Sequence, residues 1–239
     1  RGNDPLKAYG KTTDLTAMGG AQYVHTFDKC FFMPSDLTAG LEYNRDRLKD
    51  NMWGYNRHTD QTVNIYSAFL QNEWKNDRWG ILIGGRLDKH NMVDNVIFSP
   101  RANLRFNPTQ NINLRLSYSS GFRAPQAFDE DMHIENVGGT VAMIERAKDL
   151  KEEKSQSFSV SADMYHRFGA FQTNLLIEGF YTRLTDVFVL GKPYDRGDGI
   201  LVKTRSNGPG AKVMGLTLEG KVAYLSILQI QAGLTLQRS

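Results

Sequence analysis

Residues 111–125 read NINLRLSYSSGFRAP, and the first half alternates so strictly that one backbone state accounts for it. Ile112, Leu114, Leu116 and Tyr118 fall on one face, and Asn113, Arg115, Ser117 and Ser119 on the other. A period of two is that of a β-strand with an apolar and a polar side. An amphipathic helix needs apolar residues three and four apart, and those spacings repeatedly land here on Arg, Ser or Asn. Gly121 and Pro125 close the strand, because glycine frees the backbone and proline cannot donate to a ladder.

The same alternation recurs on both sides of this stretch. Upstream, residues 13–27 and 36–47 read as strands, the second with Leu37, Ala39, Leu41 and Tyr43 against Thr38, Gly40, Glu42 and Asn44. Polar residues 48–60 read as a surface loop. Strands over 61–74 and 79–88 follow around a tight turn, then a polar loop over 89–96 and a strand from Phe98 to Asn107. Downstream, residues 126–154 form a long interruption, acidic at DEDMHIE and expected to be helical over 140–150, where Val141, Ile144 and Ala147 recur at helical spacing. Strands return over 157–168 and 172–190, then a loop over 191–209, and a last pair over 214–224 and 227–237.

Composition removes several classes of function. No run of ~18 apolar residues exists to form a membrane helix, whereas a transmembrane β-strand needs only ~9–11 residues with alternate ones apolar. Lys and Arg number 29 against 26 Asp and Glu, a formal net charge of +3 spread along the chain, which gives no nucleic-acid footprint. The single Cys30 allows neither an intrachain disulfide nor a zinc site of paired cysteines. No nucleophile beside a base, phosphate loop or metalloprotease helix is present, so the sequence predicts no enzyme, and it assigns no metal or cofactor. The opening RGNDPLKAYG lacks a charged and apolar leader, so a signal peptide is expected to lie outside this sequence.

The connections alternate too. They are short after Trp74, Asn107, Phe168 and Tyr224, and long after Arg47, Asp88, Pro125 and Leu190. In an up-and-down meander that puts every short turn at one end and every long loop at the other, which is how outer-membrane barrels are built. A soluble β-sandwich or solenoid would alternate as well, but its outer faces would be rich in Lys and Glu. The expected fold is therefore all-β: an antiparallel up-and-down meander of about ten strands, a partial transmembrane barrel.

The segments WGILIGGRLDKH, FSPRANLRFNP, INLRLSYSSGFRAPQAF, LKEEKSQSFSVSADMY, LIEGFYTRLTDVF and NGPGAKVMGLTLEGKV, in this order, closely resemble the barrel of TonB-dependent outer-membrane receptors. Gly85 to Asp88, Ser99 to Arg101 and Gly121 to Pro125 carry the resemblance most specifically, through their order. It implies a barrel of ~22 strands around a plug, set in the outer membrane of a Gram-negative bacterium and importing a scarce nutrient such as an iron-siderophore complex, cobalamin or a glycan. The implied partners are membrane lipid, the protein's own plug, the TonB energy-coupling complex and a small-molecule ligand. Residues 1–239 are expected to be a fragment of the barrel domain, without plug or C-terminal strand. The alternative is a non-transporting surface β-protein with a structural or adhesive role.

Within that frame, Arg86, Arg101, Arg105, Arg115, Arg123, Glu178 and Glu219 lie on polar faces and are expected in the lumen, paired with one another or touching plug and ligand. Apolar Leu104, Leu114, Leu116, Val160 and Leu218 are expected to face lipid. His133, Tyr194, Arg196 and Asp198, on the two longest connections, are the candidate ligand-binding residues, since loops on a rigid frame carry binding. Acidic Asp129, Glu130, Asp131 and Glu135, with Asp195 and Asp198, do not have the spacing of an EF-hand and read as solvated loop. His133 sits where haem receptors of the resembled family can place an iron ligand, but their Asn-Pro-Asn-Leu box is missing. Removing residues 129–145 is expected to weaken ligand binding without touching strand pairing.

Overall fold

The computed structural model describes residues 10–53, 57–126, 135–137, 140–197, 201–225 and 227–239. In chain order the strands are β1 (Gly10–Cys30), β2 (Met33–Met52), β3 (Arg57–Lys75), β4 (Trp79–His90), β5 (Ile97–Thr109), β6 (Ile112–Arg123), β7 (Glu135–Val137), β8 (Thr140–Arg146), β9 (Glu153–Phe168), β10 (Phe171–Thr185), β11 (Phe188–Leu190), β12 (Tyr194–Asp195), β13 (Leu201–Asn207), β14 (Ala211–Tyr224) and β15 (Leu228–Arg238). Ten of them form one antiparallel wall in the order β1-β2-β3-β4-β5-β6-β9-β10-β14-β15. No helix occurs among the described residues.

Register fixes the two faces of the wall, because directly paired residues share a side. Leu104 pairs Leu116, which pairs Val160. Leu114 pairs Ala162, Ala162 pairs Ile177, and Ile177 pairs Leu218. These rows make a continuous apolar face. The opposite face carries the row Arg105, Arg115, Ser161, Glu178 and Thr217. In a membrane barrel the apolar side meets lipid and the polar side the lumen.

Two belts of aromatic rings bound that apolar face. Toward the short turns, Phe32 stacks on Trp74, Trp79 on Phe106, and Phe171 lies between Phe168 and Tyr224. Toward the long connections, Tyr43 meets Tyr66 and Tyr118 meets Phe158, with ring centroids 4.9 and 4.7 Å apart. Tyr66 and Trp74 stand eight positions apart on β3, as do Phe98 and Phe106 on β5. That is ~26 Å of strand, or ~20 Å of depth at a ~40° tilt, close to the ~25 Å apolar band of outer-membrane barrels.

The long connections differ from their sequence reading. Residues 48–60, expected as a loop, are mostly strand: Leu48 pairs Gln61, Lys49 pairs Asp60 and Met52 pairs Arg57. Residues 140–150, expected to be helical, begin instead with strand β8, which lies between two partners in a second sheet. That sheet has the order β11-β13-β8-β7, with β12 paired to β13. Its β8–β13 pair is parallel, against the expectation of antiparallel pairing throughout, because the two strands come from different connections and meet running the same way. Met143 and Val202 are 2% and 0% exposed, each worth ~1.5–3 kcal/mol of apolar burial.

Candidate functional site

The second sheet is fastened across the long-connection end of the wall by a few polar contacts. Arg146 Nη1 donates to Gln61 Oε1 of β3 at 2.9 Å and to the Pro125 carbonyl at 3.0 Å. Asn207 bridges the two connections: its Nδ2 donates to the Lys151 and Asp186 carbonyls, and its Oδ1 accepts from the Lys151 amide. The Phe188 amide donates to Glu153 Oε2 at 2.9 Å.

Between this sheet and the rim of β2–β3 lies a cavity of about 690 Å³. Its charged lining is Arg57, Arg146, Lys148 and Arg196 against Glu145, with the His58 ring beside them. Met92, Pro125, Met143 and Leu150 supply apolar surface. Arg57 is anchored by Asp50, Nη2 to Oδ2 at 2.8 Å, with side chains only 11% and 4% exposed. Thr12 Oγ1 donates to the other Asp50 oxygen at 2.7 Å. Arg196 Nη1 stands 3.8 Å from Glu145 Oε1, an open pair in half-exposed surroundings. Such a lining draws anions, since several cations around a low-dielectric wall raise the local potential for negative charge.

Below the cavity, on the polar face, Arg86 holds a closed network. It reaches Glu42 Oε2 at 2.6 Å, Asp88 Oδ1 at 2.8 Å and Ser67 Oγ at 2.8 Å, and Ser67 in turn donates to Asp88 at 2.6 Å. Next to it His90, wholly buried at the end of β4, accepts the Met92 amide on Nδ1 at 3.1 Å. Its proton is therefore on Nε2, which donates to Gln126 Oε1 at 3.4 Å. Burial lowers the His90 pKa below the ordinary value, opposed by the Gln126 bond and the nearby Asp88 charge. Lys89 pairs with Tyr66 of the upper aromatic belt, so His90 already stands past that belt.

The residues singled out by sequence are scattered among these features. Arg196 lines the cavity; Tyr194 lies in β12, opposite Val202 and half exposed. His133 and Asp198 lie outside the described residues, as do Asp129, Glu130 and Asp131. Arg101, Arg105, Arg115, Arg123, Glu178 and Glu219 share the polar face with Arg86. Arg105 faces Arg115 directly and donates to the Asn76 carbonyl, and neither forms an ion pair among the described residues. Arg123 pairs with Glu153 across β6–β9 and stands 5.7 Å from the Phe188 ring. Glu219 accepts from Gln231 Nε2. Sequence reading missed Arg57, His58, Arg146 and Lys148, which come together only through β8 and the extended β2–β3 hairpin; the basic run around 146–151 was the one available signal. Removing residues 129–145 would take out β7 and most of β8, so it would break pairing, contrary to the expectation.

Comparison with known proteins gives a consistent picture. Residues 2–239 match a family model described as TonB dependent receptor-like, beta-barrel. The siderophore receptor PirA from Pseudomonas aeruginosa is 17% identical with a TM-score of 0.77 over 96% of this chain and 43% of its own. A mutant of the ferric enterobactin receptor from the same species, solved with enterobactin, is 20% identical with a TM-score of 0.72 over 99% and 38%. A probable hemoglobin and hemoglobin-haptoglobin-binding protein of Haemophilus influenzae is 23% identical over 84% of this chain and 18% of its own length. The chain thus spans less than half of each relative.

Proposed function

We propose, from the premise that the chain belongs to the TonB-dependent receptor β-barrel family, that it is part of the barrel of a receptor importing an anionic iron(III) chelate. The family is one of Gram-negative outer-membrane receptors, so the wall sits in that membrane with its long connections outside. The observation that carries the reading is the cavity under the second sheet, with Arg57, His58, Arg146, Lys148 and Arg196 around Glu145. An iron(III) ion wrapped in catecholate oxygens, like a haem with its propionates, brings negative charge to such a lining, and planar guanidinium groups match oxygen anions well. The opposed Arg105 and Arg115 on the polar wall await acidic partners, which the receptor's own plug would supply in the lumen. Energy would come from the TonB complex through that plug. Nothing in this reading asks the chain for catalysis.

The test uses the full-length receptor with ferric enterobactin as probe and haem as a second arm. Lys148→Gln with Arg196→Gln should weaken chelate binding by about tenfold, the loss of ~1.4 kcal/mol, with the barrel still heat-modifiable on a gel. Binding of both probes unchanged by the double substitution would overturn the site.

A further inference from the structure

The outer face of the wall carries a second, separate constellation. On β2 the residues that share a side with Leu41 and Tyr43 continue past the aromatic belt as Arg45, Arg47 and Lys49, while Asp46, Leu48 and Asp50 point the other way. Arg45 and Lys49 are exposed, and the Arg47 side chain is 43% exposed. Lys89 of β4, beside Tyr66, extends the row sideways. On the described strands next to it, Asp60 is the acid on this face, 3.8 Å from Arg47 and 3.3 Å from Lys49. Cations therefore outnumber it here.

Directly beneath runs an open apolar groove of about 480 Å³, walled by Leu41, Tyr43, Tyr66, Leu87 and Val96, with Lys89 at its lip. Ala68 lies between Leu41 and Leu87 at its floor, and Gly19, paired with Tyr43, leaves its β1 side open, where an added Cβ would meet nothing within 4 Å. A groove on the lipid side of a barrel, capped by a basic row, fits one kind of molecule: an amphiphile with a chain in the groove and an anion above it. Arg45 stands ~7 Å and Lys49 ~20 Å along the strand from Tyr43. That range covers the headgroup layer beyond the belt, since aromatic belts mark the membrane interface.

We propose that this face binds a phosphorylated, multiply acylated lipid of the outer leaflet, with an acyl chain in the Gly19 groove and its phosphate on Arg45, Arg47 and Lys49. Arginines bind phosphate oxygens bidentately, and Lys89 at the lip adds a fixed charge held by the Val93 and Asp94 carbonyls. The site lies outside the barrel and is independent of the ligand cavity.

The experiment places the purified full-length receptor in phosphatidylcholine nanodiscs with lipid A as the probe and counts retained lipid by native mass spectrometry. Arg45→Gln, Arg47→Gln and Lys49→Gln together should reduce retention at least tenfold, and lipid A stripped of its phosphates should bind the unaltered receptor as weakly. Gly19→Leu, which fills the groove and keeps every charge, should reduce retention as well and carries the test if the triple variant fails to assemble. Displacement of the lipid by millimolar inorganic phosphate would show a free-anion site and overturn the proposal. So would equal retention by the unaltered receptor and the variants, or equal retention of the dephosphorylated lipid.

Discussion

Strand β2 passes through two environments on one unbroken ladder. From Leu37 to Asn44 its side chains obey the rule of two, Leu37, Ala39, Leu41 and Tyr43 outward and Thr38, Gly40, Glu42 and Asn44 inward. Beyond Tyr43 the outward side becomes Arg45, Arg47 and Lys49, and the inward side mixes Asp46 with buried Leu48 and Asp50. Backbone pairing is the same in both halves. What changes is the solvent: lipid demands an apolar face, whereas water outside and a packed layer inside do not. The membrane half therefore presents an apolar face for lipid to cover, and the projecting half is held by specific buried polar contacts.

This contrast predicts where substitutions hurt. In the projecting half, Asp50→Ala leaves Arg57 buried without its carboxylate, and breaking such a pair costs about 3–5 kcal/mol. Hydrogen exchange of the paired amides in 46–52 and 57–63 should accelerate accordingly, with the membrane half unchanged. Exchange left at its original rate would mean the pair is not what holds the hairpin. In the membrane half, Leu70→Arg, four positions from both Tyr66 and Trp74, should cost about 2–4 kcal/mol in denaturant unfolding from liposomes. Gln71→Arg, one residue on and facing the lumen, should cost little, and equal penalties at the two positions would dissolve the distinction between faces.

The smallest effect is the pH response of the junction between the halves. His90 is held neutral, with its pKa lowered. Above the ordinary imidazole value of ~6.5 both folded and unfolded chains carry it uncharged, and no penalty arises. As pH falls below that value the unfolded state takes up the proton first, so the layer resting on Met92 and Gln126 loses stability. Hydrogen exchange near Met92 should rise between pH 7 and pH 5, and His90→Gln should flatten the response. A pH response that survives this substitution would assign it to another group.

The same contrast explains what could be read from the chain alone. The ten wall strands were legible because Leu114 against Arg115, or Leu104 against Arg105, repeats a period that only a two-sided strand produces. Residues 48–60 were not, because a strand wet on one side and packed on polar groups on the other has no apolar period to detect. Strand β8 was misread for a related reason: Val141, Ile144 and Ala147 match helical spacing, and only pairing with β13, ~60 residues away in sequence, decides otherwise. The candidate site was legible as far as Arg196. Its other cations come from β3, β8 and the turn after β8, and no local pattern joins them.

The boundary between the two halves can be located directly. Cys30 is the one cysteine of the chain, so in a Cys30→Ser background of the full-length receptor single cysteines at Leu41, Tyr43, Arg45, Arg47 and Lys49 can each carry a nitroxide in liposomes. Collision with oxygen, which concentrates in lipid, should dominate at Leu41 and Tyr43, and collision with a water-soluble nickel chelate from Arg45 onward. A crossover between Tyr43 and Arg45 is the predicted result, whereas oxygen dominance continuing through Arg47 and Lys49 would contradict the division of β2 into a membrane half and a projecting half.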